Sequence, residues 1–194
     1  MKRARVTRWF WVSVSVFAAS ALILSGCQSA PKSEPEIQVP EESVPLPATD
    51  QISDLPEPRG WVTDLADVIP PLYEQKITDR VAALWTTTGV EVAVLTVDTF
   101  APFPTIDEYS IAVADAWGVG AEHNDSGVLF TVALEERKVR IEVGYGLQEI
   151  IPDDVAGQIL DDFVVPYLTA GDFGPGLLAG VEAVADLITS TDTK

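Results

Sequence analysis

The chain has very few of the side chains on which several common kinds of site depend. Its 194 residues include one cysteine, one histidine and one methionine, and only 12 lysines and arginines stand against 30 aspartates and glutamates. A zinc site needs several cysteine or histidine ligands, so the composition argues against one. His123, the single histidine, lies in a polar stretch, where we expect a solvated side chain rather than a catalyst.

Basic residues are scarcest beyond the first 26 positions. Four of the 12 lie within residues 1–26, so the remainder of the chain carries eight basic residues against all 30 acids, a net charge of about −22 (8 − 30). Such a surface repels nucleic acid, whose binding proteins neutralise phosphates with lysine and arginine. It attracts cations and basic protein surfaces. The alternative is that the charge serves only solubility.

The first 26 residues have the pattern of a secretory signal. Four basic residues precede an apolar run from Trp9 to Leu24 that only serines interrupt, which is the order typical of a signal peptide. The run covers about 16 residues, fewer than the roughly 20 that a membrane-spanning helix needs. We therefore expect cleavage rather than a permanent transmembrane helix.

Leu24-Ser25-Gly26-Cys27 follows this run and has the arrangement of a lipobox, where a signal is cut before a cysteine that receives lipid. The alternative, a buried or free thiol, is disfavoured because Cys27 lies between a signal and a linker, where no core exists. Each buried CH₂ contributes about 0.8 kcal/mol to membrane binding, so the two or three chains of a bacterial lipoprotein hold firmly. The sequence predicts a lipid-anchored protein of the cell envelope, on the extracytoplasmic side of a membrane.

Residues 27–59 are predicted to be the lipidated cysteine followed by a disordered linker. Seven of the 14 prolines fall here, together with several acids and few large apolar side chains. Such a segment cannot bury enough surface to offset its ordering entropy. Fully extended at about 3.1 Å per residue, it would reach roughly 100 Å. Residues 60–190 are long enough for one domain with its own core.

The first half of this domain alternates helix and strand patterns. Apolar residues at helical spacing and β-rich apolar runs follow one another along the chain. A strand, a helix and a second strand in this order form a right-handed crossover with parallel strands. The predicted elements are a helix at 70–87 ended by Gly89, a strand at 90–97, a helix at 106–117 with a capping box of Thr105 and Glu108, and a strand at 127–134.

The second half adds a hairpin and two helices. The polar turn at 135–138 joins the strand at 127–134 to another at 139–143, which predicts an antiparallel pair. The sequence thus predicts an α/β domain with a small mixed central sheet sandwiched by helices. The third helix, opened by Pro152, is predicted to carry Val155, Ile159, Phe163 and Tyr167 on its inner face, and the last helix Leu177, Val181, Val184 and Ile188.

Oxygen-bearing side chains meet at one rim of this predicted sheet. The hairpin places residues 144–146, after one strand, beside residues 124–127, before the other, and the helix that includes Asp153 begins nearby with free N–H groups. Hard cations such as Ca²⁺ and Mg²⁺ bind six or more oxygens. The alternative is that Asn124-Asp125-Ser126-Gly127 is only a turn, since these residue types tolerate turn backbones.

Other chemistry is scarce in the sequence. It contains no Ser-His-Asp set, no phosphate-cradling glycine-rich loop and no dinucleotide fingerprint. Arg140 and Glu142 alternate with apolar residues and are expected on the polar face of their strand. The tryptophans at 61, 85 and 117 are expected to anchor the core or its rim.

Five segments, in order and spacing, resemble the TPM domain family over about residues 60–188. That family includes thylakoid-lumen proteins of photosystem II repair, an animal acetylcholine-receptor auxiliary protein and many bacterial envelope proteins. The segments are Gly60-Trp61-Val62-Thr63-Asp64-Leu65-Ala66-Asp67, Trp117-Gly118-Val119-Gly120, Asp125-Ser126-Gly127-Val128-Leu129, the run from Arg137 to Leu147, and Gly171-Asp172-Phe173.

The resemblance implies an α/β sandwich, an acidic divalent-cation site in a cleft and, for some members, acid phosphatase activity. Asp125 matches the acid before the family's strand, and Asp64 matches the acid of its opening motif. Ser126 departs from the family's usual pattern and changes one potential ligand. Together with the rim residues above, the candidate metal ligands are Asp64, Asn124, Asp125 and Asp153.

Two functions follow as hypotheses. The first is an envelope module that binds Ca²⁺ or Mg²⁺, is held to the membrane by its lipid, and assists assembly or maintenance of an integral membrane protein complex. The alternative is a metal-assisted acid phosphatase, in which the cation polarises a phosphoryl oxygen. That alternative lacks a cationic clamp on the rim unless Arg137 or Arg140 folds over it.

Overall fold

The computed structural model describes residues 55–191, so the predicted signal, Cys27 and most of the predicted linker lie outside the described residues. Within this range a four-stranded sheet separates two layers of helices. The elements are β1 (Val62–Asp64), α1 (Pro71–Thr88), β2 (Glu91–Val97), α2 (Ile106–Trp117), β3 (Gly127–Ala133), β4 (Lys138–Val143), a 3₁₀ turn (Tyr145–Leu147), α3 (Asp153–Ile159), a π-helical turn (Leu160–Val164), α4 (Val165–Ala170) and α5 (Phe173–Thr191).

The sheet has the order β1-β2-β3-β4, with the first three strands parallel and β4 antiparallel to β3. The predicted parallel pairing of the crossover strands, the hairpin and the mixed α/β class are therefore confirmed. The strand β1 was not predicted, because its three residues are too few to form a recognisable apolar alternation. It extends the sheet by pairing Val62 with Val94 of β2.

Strand β3 is buried on both faces and so belongs to two cores. Its Val128, Phe130 and Val132 pack in the larger core, which α1 and α5 cover. Its Leu129 and Ala133 pack in the smaller core beneath α2. Because side chains alternate along a strand, a slip of one residue in β3 would exchange these two sets.

The predicted caps are present at both crossover helices. The Thr105 side chain accepts a hydrogen bond from the Glu108 N–H at 3.2 Å, which begins α2 where the capping box predicted. Gly89 has a left-handed backbone and its N–H donates to the Trp85 carbonyl, ending α1. A left-handed residue after the last turn satisfies carbonyl groups that the helix itself leaves free.

The predicted inner face of the third helix is wrong beyond Ile159. Phe163 and Tyr167, expected to be buried, are 46% and 43% exposed, whereas Val164 is buried. The cause is the π-helical turn, which holds more residues than an α turn and rotates the following side chains around the axis. Pro166 favours this wide turn because it has no N–H to donate and its ring crowds the preceding turn.

The packed part of the chain includes residues that the sequence assigned to the linker. Leu55 packs against the smaller core, and the Trp117 indole N–H donates to the Pro56 carbonyl at 2.6 Å. These contacts lie up to five residues before the predicted boundary at 60. Two prolines at 56 and 58 made this stretch indistinguishable from the linker by composition alone.

The helix α5 supplies the longest buried stripe of the larger core, including the predicted Leu177, Val181, Val184 and Ile188. Glycines in this stripe let neighbouring elements approach closely. Among residues 55–191, no helix is both long and apolar enough to cross a membrane.

We predict opposite effects for two glycine-to-alanine substitutions. In G180A the new Cβ would lie 2.6 Å from Val164 Cγ2 and 2.9 Å from Phe130 Cε1. Overpacking costs about 1–3 kcal/mol, more than the roughly 1 kcal/mol gained in helix propensity, so the free energy of unfolding should fall. In G157A the new Cβ would have no neighbouring atom within 4 Å, so the free energy of unfolding should rise by about 0.5–1 kcal/mol. Urea unfolding checks both values, and a stabilised G180A would contradict the tight packing.

Candidate functional site

A cleft of about 340 Å³ opens where the hairpin of β3 and β4 has its free ends. One wall is α2, and the other is formed by the start of β3 and the end of β4. We call it the acidic cleft, because three of its lining residues carry carboxylates. Its lining residues are Ile111, Ala114, Asp115, Val119, Asp125, Gly127, Leu129, Glu142, Val143, Gly144, Tyr145 and Gln148.

Backbone contacts hold the two predicted loops together, which confirms their expected juxtaposition. The Gly144 N–H donates to the Gly127 carbonyl at 2.8 Å, and the Gly146 N–H donates to the Asp125 carbonyl at 3.2 Å. A Cβ atom on Gly144 would collide with the carbonyl oxygen of Asp125, and one on Gly146 with that of Asn124. Glycine is required at both positions for this close approach.

The loop before β3 is fixed by left-handed residues and by a strand carboxylate. Asn124 and Asp125 have φ of 55° and 54°, a conformation that short polar side chains tolerate better than others. The Glu91 carboxylate accepts the Gly120 N–H at 2.8 Å, and the Glu91 N–H donates to the Ser126 carbonyl. The loop that carries Asp125 is therefore held on both sides, although Asp125 itself is exposed.

The three carboxylates of the acidic cleft differ in their partners. Within residues 55–191, neither Asp115 nor Asp125 has a side-chain hydrogen bond or an ion pair. Glu142 accepts from Arg140 Nε at 3.0 Å and Nη2 at 2.8 Å, and Arg140 also pairs with Asp107 on α2. In the described part of the chain, no three acidic, histidine or cysteine side chains stand close enough to hold a metal ion.

The candidate ligands do not all come to this cleft. Asp125 lines it, and Asn124 adjoins it through the carbonyl beneath Gly146. Asp153 is exposed at the first residue of α3 and does not line the cleft. Asp64 lies at the other edge of the sheet.

The position of Asp64 follows from the strand register. Asp64 pairs with Thr96 in β2, whereas Gly127 beside the cleft pairs with Glu91. Five residues at about 3.3 Å each place Asp64 roughly 17 Å from the cleft along the strand direction, at the opposite end of the strands. The Asp64 carboxylate accepts the N–H groups of Val68 at 3.2 Å and Ile69 at 2.8 Å, and also the Thr96 hydroxyl. Its oxygens thus stabilise the loop between β1 and α1.

The single histidine and the tryptophans have structural positions. His123 is exposed and its ring packs edge-on against Trp85 with the centroids 4.7 Å apart. Trp85 in turn contacts Trp61 at 5.9 Å. With Trp117 bound to the Pro56 carbonyl, all three tryptophans are half-buried rim anchors, as expected. None of these side chains lines the acidic cleft.

The two arginines that could supply a cationic clamp for a phosphatase, Arg137 and Arg140, lie in different parts of the domain. Arg140 lies beside the acidic cleft, but its charge is shared between Asp107 and Glu142. Arg137 lies in the turn at the far end of the hairpin and lines a different cleft. Along the described part of the acidic cleft, no lining side chain is basic.

Sequence reasoning missed Asp115 and Glu142 as lining residues. Asp115 follows Ile111 by one helical turn, and Ile111 is 45% exposed on a helix whose other face is buried. An exposed isoleucine and an aspartate on the same face of α2 indicate that this face lines a cleft rather than the core. Glu142 had been explained as part of the polar face of its strand, and its contact with Arg140 agrees with that position.

The opposite face of α2 carries an inert phenol. Tyr109 packs between Phe100 and Phe103, with ring centroids 6.5 and 5.3 Å away, and is 6% exposed. Burial raises the pKa of Tyr109 to about 12, because the phenolate would lose its hydration. The hydroxyl therefore stays protonated and adds no charge near the cleft.

The fold and the cleft define a class, a three-layer α/β domain with an acidic cleft at the open end of an antiparallel hairpin. The family model of the TPM domain matches residues 62–187. The chain therefore belongs to the TPM domain family.

Solved structures with the same fold agree with this assignment. The solution structure of the N-terminal domain of a P. gingivalis protein is 33% identical, with a TM-score of 0.62, over 73% of this chain and 87% of that one. The BA42 protein of Bizionia argentinensis is 19% identical, with a TM-score of 0.56, over 65% and 85%. The N-terminal domain of the cg2496 protein from Corynebacterium glutamicum is 17% identical, with a TM-score of 0.52, over 69% and 83%. No match was found among curated proteins.

We predict that Asp64 acts on stability without any cation. In D64N, the charged acceptor of the Val68 and Ile69 N–H groups becomes neutral. Hydrogen bonds to charged groups contribute about 1.5–3 kcal/mol, so the free energy of unfolding should fall by about 1–2 kcal/mol. Urea unfolding in EDTA and in excess Ca²⁺ should give the same loss. A loss confined to the Ca²⁺ sample would instead make Asp64 a metal ligand.

Proposed function

We propose that this protein is a membrane-tethered TPM domain that binds Ca²⁺ or Mg²⁺ in the acidic cleft and assists assembly or maintenance of a membrane protein complex. The observation that carries the proposal is the pair Asp115 and Asp125. They come from different elements, line one cleft, and have no side-chain partner within the described chain. Both walls of the cleft therefore carry negative charge, and a divalent cation bound in it would reduce the electrostatic cost of that charge.

The donor set has the chemistry of a hard-cation site. Carboxylates, the Gln148 amide and backbone carbonyls offer oxygen ligands, and no histidine or cysteine among residues 55–191 lines the cleft. Oxygen-only donor sets suit Mg²⁺ and Ca²⁺ and exclude the soft metals that prefer thiolate or imidazole. Asp125 and Asp115 would be the direct ligands, with Glu142 available if it leaves Arg140.

The expected affinity is low. No three carboxylates are already close together in the described chain, so ligands must rotate and water must complete the coordination sphere. Sites of few charged ligands in extracellular modules have dissociation constants of about 10⁻⁴–10⁻³ M. The electrostatic field of the domain favours cation binding, since residues 55–191 carry 23 acids and six basic residues. A surface of one sign raises the local concentration of counter-ions.

The geometry supports cation binding better than phosphate-ester hydrolysis. A phosphatase stabilises the charge that develops on a phosphoryl group, usually with arginine, lysine or metal ions. Arg140 pairs with the cleft residue Glu142 and with Asp107, so these two carboxylates already neutralise it. Acidic walls without a free cation repel a phosphate ester.

The assembly role is supported by the surface and by the predicted anchor. The domain combines a strongly acidic surface with exposed aromatic side chains, among them Tyr145 at 81% in the cleft and Phe163 at 46%. Aromatic residues are enriched at protein interfaces, where they supply a large contact area. A lipid at Cys27 and the linker after it would keep this surface within reach of integral membrane proteins.

We predict that Ca²⁺ stabilises the domain and that the cleft carboxylates are responsible. Ligand at 100 times its dissociation constant adds about 2.7 kcal/mol to the free energy of unfolding, a rise in Tm of several degrees for a domain of this size. The rise should disappear in D115N and D125N. Thermal unfolding of the metal-free protein, titrated with Ca²⁺ and then Mg²⁺, measures it.

The matched control is D161N, which removes an equal charge from an exposed position outside the cleft. It should keep the full response to the cation, because general screening of the acidic surface does not depend on one remote carboxylate. If D161N and D125N lose the response equally, the effect is screening and the site is refuted. A wild-type protein with no response up to millimolar metal refutes it as well.

We predict that Cys27 determines membrane attachment and access to a partner. The wild-type protein should fractionate with membranes, and C27S, which cannot carry a thioether-linked lipid, should not be retained there. In-cell crosslinking of the wild type should recover an integral membrane protein that C27S recovers much less. Membrane retention of C27S would contradict the anchor, and recovery of only soluble proteins would contradict the assembly role.

A further inference from the structure

A second cleft, of about 670 Å³, lies at the turn end of the hairpin, between that turn and α4. We call it the turn cleft. It is on the face of the sheet that carries the larger core, whereas the acidic cleft is on the face that α2 covers. Two of the segments that carry the family resemblance meet here, since Arg137, Lys138, Gly171 and Phe173 all line it. The proposed cation site uses none of these residues.

Most of the wall of the turn cleft is apolar. It is formed by Val132, Leu134 and Val139 from the hairpin, Val165 and Leu168 from α4, and Phe173 from α5. Leu134, Val139, Leu168 and Phe173 are only partly buried, although they pack against the larger core. Clefts of about 300–1,000 Å³ with apolar walls and a few polar groups are the usual form of small-ligand sites.

The polar groups at this cleft are positive, in a domain that is otherwise acidic. Residues 55–191 contain six basic side chains. Of the four outside this cleft, Arg80 and Arg140 form ion pairs, Lys76 lies over the Tyr73 ring, and Arg59 forms no ion pair within the described chain. Within the described chain neither Arg137 nor Lys138 forms an ion pair. The nearest acid in sequence, Glu136, accepts instead from the Thr99 hydroxyl.

Arg137 also occupies a backbone conformation that disfavours it. Its φ is 53°, and its N–H donates to the Leu134 carbonyl to close the turn. In the described range, the other non-glycine residues with positive φ are Asp67, Asn124 and Asp125, which are residue types that tolerate this region. Glycine would fit the turn with less strain. Strain of this kind is a reason to look for a role of the side chain.

We propose that the turn cleft binds a single-chain anionic amphiphile, with the apolar chain against Leu134, Leu168 and Phe173 and the anionic head beside Arg137. Charge complementarity selects an anion, since the unpaired Arg137 lies at the rim. The side chain of Lys138, which is paired with Ala133 of the smaller core, lies on the other face of the sheet. The apolar wall selects a hydrocarbon chain over an extended peptide, because a peptide backbone needs hydrogen-bond partners and the wall offers few. The proposal does not depend on cation binding in the acidic cleft.

The test is an NMR titration of a fragment that contains residues 55–191, which fold around two cores of their own, with decanoate as the probe. The isolated domain of the P. gingivalis relative was itself studied in solution, which supports work with the fragment. We expect decanoate to shift the methyl signals of Val132, Val165 and Leu168. Acetate, which has the head without the chain, should not shift them. Decyltrimethylammonium, which has the same chain with a cationic head, should not select them over other signals.

The decisive variant is R137G, which removes the cation and relieves the backbone strain. It should keep or raise Tm, so a loss of binding cannot be ascribed to unfolding, and it should weaken decanoate binding about fivefold, the upper range for one exposed ion pair. L168S, which removes part of the apolar wall, should weaken decanoate binding while leaving the Ca²⁺ response intact.

Three outcomes would overturn the proposal. Unchanged decanoate affinity in R137G would remove the role of the cation. Equal or tighter binding of decyltrimethylammonium at the same methyl signals would remove the charge selection. Shifts of these signals by an acidic, leucine-rich peptide but not by decanoate would make the cleft a peptide site. Failure of the Ca²⁺ titration alone leaves the decanoate result unaffected, so the two proposals are separable.

Discussion

The pairing of β3 on both of its edges is the constraint on which the rest of the structure depends. β3 is parallel to β2 and antiparallel to β4, and its side chains fill both cores in alternation. A strand with neighbours on both sides and apolar contacts on both faces has one acceptable register. That register places the loop before β3 against the loop after β4, and places the hairpin turn opposite α4. Both clefts therefore follow from the same strand pairing, at opposite ends and on opposite faces.

Elements with a local signal were predictable from the sequence, and elements created by tertiary contacts were not. The helix α2 has a cap, a stripe of apolar residues and a terminating glycine within a few positions of one another, and it lies where it was predicted. β1 has no such signal and exists because β2 offers it a hydrogen-bonding edge. The π-helical turn, centred before Pro166, displaced Phe163 from the core, since a helical pattern assumes a constant number of residues per turn.

The same distinction applies to the acidic cleft. Asp125 was found because its loop has a turn composition next to a strand, and the hairpin alone brings it to the residues after β4. Asp115 was missed because its place in the cleft depends on how α2 packs across the sheet, which no single segment encodes. Asp64 was included through the family resemblance, and its contacts with Val68, Ile69 and Thr96 give it a sufficient structural role at the other edge. A shared motif thus identifies important residues without assigning all of them to one site.

The two clefts are electrostatically separate although one strand joins them. Along β4 the side chains change from positive at Lys138 to negative at Glu142, and Arg140 between them is paired with Glu142 and with Asp107. This pairing cancels the central charge locally. Lys138 and Glu142 are four residues apart, about 14 Å at 3.4 Å each, which exceeds the Debye length of about 8 Å at physiological ionic strength. Exposed charges at one end are screened from those at the other, so any coupling between the clefts must pass through the strand register itself. Because β3 is fixed by two cores, that route is stiff, and we expect a substitution in one cleft to leave the other unchanged.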